Sequence, residues 1–286
     1  MSRNSLIIGM GFGGLYKKVL TELGHNVVTV DPDPGKGADY ATFDLVPKDI
    51  MFDTANICTP NYTHERIARM VATRCRIVCI EKPGVENAAE WAKLCADFPG
   101  TRFMMTKNNQ WRDNINTLKE LYGTSKAVNF NWINHNRVPN AGTWFTTRRL
   151  AYGGVSRDLL PHLLSLYIAV EPQWQDTKWE VREAKQCWQL KDLTTTDYGT
   201  VNPNGIYDVD DYVRLSTPGV QFTADWKGNA GDDIGIHFDG TFIELGLCPE
   251  SAYKRMMETA INNVAIDLFW KDQYRQDMWI HSTIAV

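Results

Sequence analysis

Short apolar runs alternate with segments of helical spacing through the first hundred residues. Ser5–Ile8 reads as a strand, Gly9-Met10-Gly11-Phe12-Gly13-Gly14 follows at once, and Leu15–Leu20 has the spacing of a helix that Gly24 stops. Asn26–Val30 is a β-branched strand ending at Asp31. Thr54–Cys58 then predicts a strand running into Thr59-Pro60-Asn61. A helix begins near Thr63 and carries His64, and Arg76–Ile80 predicts a strand ending at Glu81-Lys82-Pro83. Ala88–Ala96 reads as helix and Arg102–Met105 as strand. Strands alternating with helices predict a parallel, doubly wound sheet, an α/β Rossmann domain.

The texture changes near Lys107. After a helix over Asp113–Tyr122 come five candidate strands: Ala127–Ile133, Lys178–Leu190, Tyr207–Leu215, Val220–Trp226 and Ile234–Leu245. Clusters of Gly, Asn, Asp and Pro separate them. One helix interrupts over Val155–Val170, and helical patterns close the chain over Ser251–Asn263 and Gln273–Ile280. This pattern predicts an α+β domain with an open, mostly antiparallel sheet. The expected division is residues 1–106 and 107–286.

The glycine run gives the first half its chemistry. Gly9 permits a tight turn, Gly11 lets the backbone approach a pyrophosphate, and Gly14 is expected to let the helix pack close to the sheet, with Gly13 and Phe12 in the same turn. The helix start then offers free N–H groups to phosphates. Asp31 lies about twenty residues beyond, where an acid can bond ribose hydroxyls. An acid there would repel a 2′-phosphate, which favours NAD(H), while nearby Lys36 keeps NADP(H) open. Asp31, Thr59, Pro60, Asn61 and Lys82 all fall at strand carboxyl ends, where doubly wound sheets bind ligands.

Composition narrows the choices further. Hydrophobic residues make up 43% and charged residues 22% of 286 positions, and the formal net charge is -4, which argues against a general nucleic-acid binder. No apolar run approaches the roughly 20 residues of a membrane span, and the N-terminus lacks the pattern of a signal peptide. Cys58, Cys75, Cys79, Cys95, Cys187 and Cys248 form no Cys-x-x-Cys pair and no zinc-like spacing, so no metal site is expected. Buried thiols and a cytoplasmic setting fit this pattern.

In the second half, Asp158 and His162 stand one helical turn apart and can share a face. Pro161 requires the helix proper to start near it. Candidate substrate contacts are Asn109, Gln110 and Arg112 after the last Rossmann strand, Asn134, His135 and Arg137 after the first strand of the second domain, and Tyr152 and Arg157 beside the Asp158 helix. An arginine could anchor a carboxylate or phosphate. Trp132, Trp144 and Trp226 could stack on a sugar face, although a strand tryptophan is commonly core.

Together these blocks resemble the glucose-fructose oxidoreductase/inositol dehydrogenase/MocA family of NAD(P)-dependent oxidoreductases. The matching residues are the glycine run, Ile57-Cys58-Thr59-Pro60-Asn61-Tyr62-Thr63-His64, Glu81-Lys82-Pro83, and Gly153-Gly154-Val155 leading to Asp158 and His162. The resemblance implies that Lys82 meets nicotinamide ribose and substrate, that His162 is the acid/base with Asp158 in support, and that Thr59, Pro60, Asn61, His64 and Glu81 serve the cofactor. It also implies a homo-oligomer, dimer or tetramer, formed through the second sheet. The implied reaction is hydride transfer between the nicotinamide cofactor and a sugar or polyol-like small molecule. Leu160 stands where the family often has glycine, and Ser156-Arg157 replace residues that are commonly apolar. Both changes bear on substrate choice. Two other readings stay open: a biliverdin- or imine-type reductase on the same scaffold, and a dinucleotide-sensing protein without turnover.

Overall fold

The computed structural model describes residues 3–285. The chain divides into two compact units, one of residues 1–111 with 249–281, the other of residues 112–248 with 282–286. The boundary expected from the sequence was near Lys107, and the leading stretch of the first unit ends at Trp111. The stretch 249–281, assigned from sequence to the second domain, groups with the first unit. No sequence signal marks that return.

The first unit contains β1 (Asn4–Ile8), α1 (Met10–Glu22), β2 (Asn26–Val30), β3 (Phe52–Ile57), α2 (His64–Val71), β4 (Cys75–Ile80), α3 (Ala88–Asp97) and β5 (Arg102–Met105). Its strands form one parallel sheet in the order β2-β1-β3-β4-β5. Leu6, Ile7, Ala55, Val78 and Ile80 are fully buried, as expected for strands covered on both faces. The order reverses between β1 and β3, and ligands bind at such a switch point, beyond the carboxyl ends of the strands. The glycine turn after β1 and Thr59 after β3 lie there.

The second unit contains α4 (Ile115–Thr124), β6 (Val128–Ile133), α5 (Arg148–Ala151), α6 (Val155–Asp158), α7 (Leu160–Val170), β7 (Val181–Lys185), β8 (Tyr212–Thr217), β9 (Val220–Asp225), β10 (Asp233–Phe238) and β11 (Thr241–Glu244). Its sheet runs β11-β10-β6-β9-β8-β7, antiparallel except for the β6–β9 pair. Phe130 stacks on Phe222 with centroids 4.8 Å apart, and Tyr167 of α7 meets both edge-on. α8 (Glu250–Asn262) and α9 (Asp267–Thr283) complete the chain.

Four expected elements differ, the first being the strand expected over Tyr207–Leu215, which runs over Tyr212–Thr217. Ile234–Leu245 is a hairpin, because Asp239 and Gly240 both take positive φ (49° and 88°), the backbone of a tight two-residue turn. The Lys178–Leu190 strand shrinks to β7, and a turn over Leu190–Asp192 closed by Gln189 and Asp192 follows it. The Val155–Val170 helix breaks at Leu159, with Pro161 in the first turn of α7, where its missing N–H costs nothing.

Candidate functional site

In the first unit, a positive φ of 93° at Gly9 turns the chain out of β1, and its N–H bonds the Val30 carbonyl at 2.9 Å. A Cβ on Gly9 would lie 2.6 Å from the Cys58 carbonyl oxygen, so only glycine lets β1 and β3 end side by side. A Cβ on Gly11 would meet nothing within 4 Å. The expected packing role of Gly14 belongs instead to Gly13, where a Cβ would come 2.6 Å from the Ile7 methyl, while Gly14 faces open space. The helix starts at Met10, so position 13 points at β1 and position 14 is turned about 100° away. Asp31 accepts the Met10 N–H at 2.7 Å and the Asp33 N–H at 2.9 Å, which ties the end of β2 to the start of α1. Phe12 is exposed, with its ring 5.9 Å from both Tyr16 and Tyr253. The cradle fits a dinucleotide: space over Gly11, a helix start, and an acid at the end of β2.

Thr59 and Thr63 share a hydroxyl hydrogen bond at 2.6 Å, and the Thr63 hydroxyl also donates to the Pro60 carbonyl. Asn61 opens the single turn that leads into α2. His64 is fully buried, with Nε2 2.7 Å from the Thr59 carbonyl and Nδ1 2.7 Å from the Gly84 carbonyl. Burial lowers its pKa, and the two carbonyl bonds oppose that shift. Both His64 nitrogens thus lie against main-chain carbonyls, one after β3 and one in the turn after Lys82. Glu81 accepts the Tyr16 hydroxyl at 2.6 Å, and desolvation raises its pKa while Tyr16 and Lys82 pull it down. Lys82 is partly exposed and precedes a cis bond to Pro83.

The residues expected to contact substrate after β5 are largely committed elsewhere. Asn109 is fully buried, and Gln110 donates to Gln276 at 3.0 Å. Arg112 is buried and gives its guanidinium to the Leu245 and Gly246 carbonyls at 2.5 and 3.0 Å, so it braces a turn instead of waiting for an anion. A cavity of about 460 Å³ lies against β5, lined by residues such as Cys95, Phe103, Trp270 and Tyr274, and includes none of the expected site residues.

In the second unit, Asp158 accepts the Trp226 indole N–H at 2.9 Å. The ring of His162 stacks on Trp132, 5.0 Å between centroids and 26° between planes. The Gly154-Val155-Ser156 start of α6 is held by Asp210, whose carboxylate accepts the Gly154 and Ser156 N–H groups at 3.0 and 2.8 Å. Its carbonyl accepts the Val155 N–H at 2.8 Å. A Cβ on Gly154 would fall 1.8 Å from that carbonyl oxygen. Asn134 is buried, and its Oδ1 has no hydrogen-bond partner among the described residues. Arg157 is buried as well, and Tyr152 closes α5 with a left-handed φ of 69°. Sequence reasoning missed Asp210 and the two indole partnerships. Trp226 is core at 1% exposure, as a strand tryptophan commonly is, and Trp144 stacks on Phe145.

All six cysteines are free; where buried thiols were expected, Cys75 and Cys79 are buried, Cys58, Cys95 and Cys248 half-buried and Cys187 exposed. Among the described residues, no helix is long and apolar enough to cross a membrane.

The class that emerges is a Rossmann unit joined to a unit with a mostly antiparallel sheet, the fold of glucose-fructose oxidoreductase/inositol dehydrogenase/MocA-type proteins. No family model matches the chain. Among solved structures it resembles GenD2 from gentamicin A biosynthesis in complex with NAD, with a TM-score of 0.72 and 18% identity over 99% of this chain and 93% of that one. It also resembles the WlbA dehydrogenase of Thermus thermophilus in complex with NAD and UDP-GlcNAcA, with a TM-score of 0.70 and 16% identity over 98% and 94% of the two chains. A putative myo-inositol dehydrogenase from Sinorhizobium meliloti 1021 gives 0.70 and 16%, over 99% and 98%. In sequence, the chain is 30% identical over 180 residues to a putative UDP-kanosamine synthase oxidoreductase subunit from Amycolatopsis mediterranei (strain S699), 57% of this chain. The chain spans about half the length of that curated relative (50%).

Proposed function

We propose that this protein is an NAD(P)-dependent oxidoreductase acting on a CH–OH group of a sugar or polyol-like small molecule. The observation that carries the reading is the glycine turn at the β1/β3 switch point, closed by the bond from Asp31 to the Met10 N–H. The curated relative and the solved relatives named above support a sugar substrate. The glycines of the turn, Gly9, Gly11, Gly13 and Gly14, would hold the pyrophosphate with the start of α1. Thr59, Pro60, Asn61 and Lys82 would serve the nicotinamide end. Bound there, a nicotinamide dinucleotide supplies a hydride acceptor or donor. NAD(H) is the preferred form, because an acid at the end of β2 repels a 2′-phosphate.

Lys82 is assigned to orient the substrate hydroxyl and assist its proton transfer. His162 is assigned as acid/base, with Asp158 in support. Asn134 and Tyr152 remain substrate candidates, and the buried, unsatisfied Oδ1 of Asn134 favours it. A dimer or tetramer formed through the second unit's sheet, in the cytoplasm, completes the reading.

The test follows nicotinamide absorbance with NAD+ and NADP+ across free aldoses, inositols and nucleotide sugars, with Lys82→Ala as control. Lysine-dependent turnover is the expected result. Turnover that survives Lys82→Ala sinks the catalytic assignment. Dinucleotide binding without turnover on any of them would move the reading to a sensor.

A further inference from the structure

The peptide joining Gly84 to Val85 is gripped at both ends by buried histidines. Its carbonyl oxygen lies 2.7 Å from His64 Nδ1, and its N–H donates to His281 Nε2 at 3.3 Å. Both rings are fully buried. His281 Nδ1 donates to the Asp277 carbonyl at 2.7 Å, which leaves Nε2 of the neutral ring as the acceptor that Val85 needs. The other nitrogen of His64 lies 2.7 Å from the Thr59 carbonyl, so the neutral ring, with one N–H, donates to one of these two carbonyls at a time. His281 stacks on Trp91 with centroids 5.1 Å apart. A Cβ on Gly84 would lie 2.7 Å from His281 Nε2, so the fit leaves no room for a side chain there.

The supports behind the two histidines are firm as well. Asp277 of α9 forms a fully buried ion pair with Lys107 and accepts the Met105 N–H at 3.2 Å. That fixes α9 against the end of β5. On the other side of Lys82, the Glu81 N–H bonds the Ile57 carbonyl and the Gly84 N–H bonds the Glu81 carbonyl, each at 2.9 Å. Lys82 therefore sits in a short turn whose main chain is anchored before and after it.

We propose that His64 and His281 are positioning residues that clamp the Gly84–Val85 peptide and so fix the Lys82 side chain for catalysis. The proposal rests on the assignment of Lys82 above. It makes α9 part of the active-site machinery, through the hold of His281 on the Val85 amide. A displacement of about 1 Å at a catalytic group can cost about a hundredfold in rate, so a clamp this close to Lys82 has a kinetic consequence.

The test begins with hydrogen–deuterium exchange of the full chain, resolved to single amides and needing no substrate. The Val85 amide is expected to exchange slowly in the wild type and faster in His281→Leu, and to be slowed again in His281→Gln, which keeps an acceptor. In turnover assays, His281→Leu is expected to lower kcat about tenfold to a hundredfold. The dinucleotide KM should hardly change, and His281→Gln should recover much of kcat. Fast exchange of the Val85 amide in the wild type overturns the clamp. So does an unchanged kcat in His281→Leu when Lys82→Ala is inactive. If His281→Leu does not fold, the wild type and His281→Gln decide through the same amide. If turnover proves independent of Lys82, the catalytic assignment fails, and the exchange data still show whether the clamp exists.

Discussion

The Glu81-Lys82-Pro83 loop of the first unit is held through its main chain, whereas the Asp158–His162 segment of the second is held through side chains. Around Lys82 the partners are carbonyl and N–H groups of residues 57, 81, 84 and 85, met by two histidines. Around the Asp158 and His162 side chains they are the Trp226 indole and the Trp132 ring. Main-chain anchoring asks for a few small or special residues at fixed spacing, and these read as a motif. Side-chain anchoring asks for particular partners brought in from distant strands, and those leave no local trace. The second kind of support can be retuned by single substitutions, which suits the unit expected to choose the substrate.

Substitutions can break or sharpen this contrast. The largest expected effect is Lys82→Ala, a loss of about 10²–10⁴ in kcat, the span of a lost proton-transfer group. NADH affinity, followed by fluorescence titration, should change little. His162→Ala should fall in the same range, and a much smaller loss would leave the first unit as the sole catalytic contributor. Next comes Asp277→Asn, which strands the buried Lys107 ammonium. Urea denaturation should show a loss of about 3–5 kcal/mol. A cost near zero would mean that α9 is not an essential support of the first unit.

Trp226→Phe removes the indole N–H that donates to the half-buried Asp158 carboxylate. The expected cost is about 1–3 kcal/mol in stability, accompanied by a drop in kcat without a change in NADH binding. If kcat stays at the wild-type value, side-chain anchoring of Asp158 has no catalytic weight. The smallest and most discriminating pair is Gly13→Ala and Gly14→Ala. Gly13→Ala should destabilise the apo protein by about 1–3 kcal/mol through contact with Ile7. Gly14→Ala, in open space within α1, should be neutral or stabilising by up to about 1 kcal/mol. Equal losses in the two variants would contradict the assigned packing.

Much of the first unit was legible because its strands are continuous apolar runs and its turns are glycine and proline motifs. Asn26–Val30 and Arg102–Met105 match β2 and β5 residue for residue. The role of Gly14 was misplaced by one residue, since a motif specifies glycine spacing but not where the helix begins. His64 looked like a cofactor contact because it follows Thr59-Pro60-Asn61. Only the fold shows that both its nitrogens lie against the Gly84 and Thr59 carbonyls. In the second unit Asp158 and His162 were visible as a one-turn pair, but Asp210 was not. It meets Gly154 and Ser156 across more than fifty intervening residues. Arg112 looked like an anion anchor for the same reason, and its true partners are carbonyls at 245 and 246.

The return of residues 249–281 to the first unit also orders events during synthesis. The bulk of the second unit, residues 112–248, is contiguous and can fold as soon as it clears the ribosome. The Rossmann unit starts earlier but cannot finish then. Lys107 must wait for Asp277, and Val85 for His281, before its charge and its amide find their buried partners. The nascent chain would therefore carry most of the second unit while the first is still incomplete. Dinucleotide binding, which favours the finished cradle, would be the natural step to lock in the late-arriving helix.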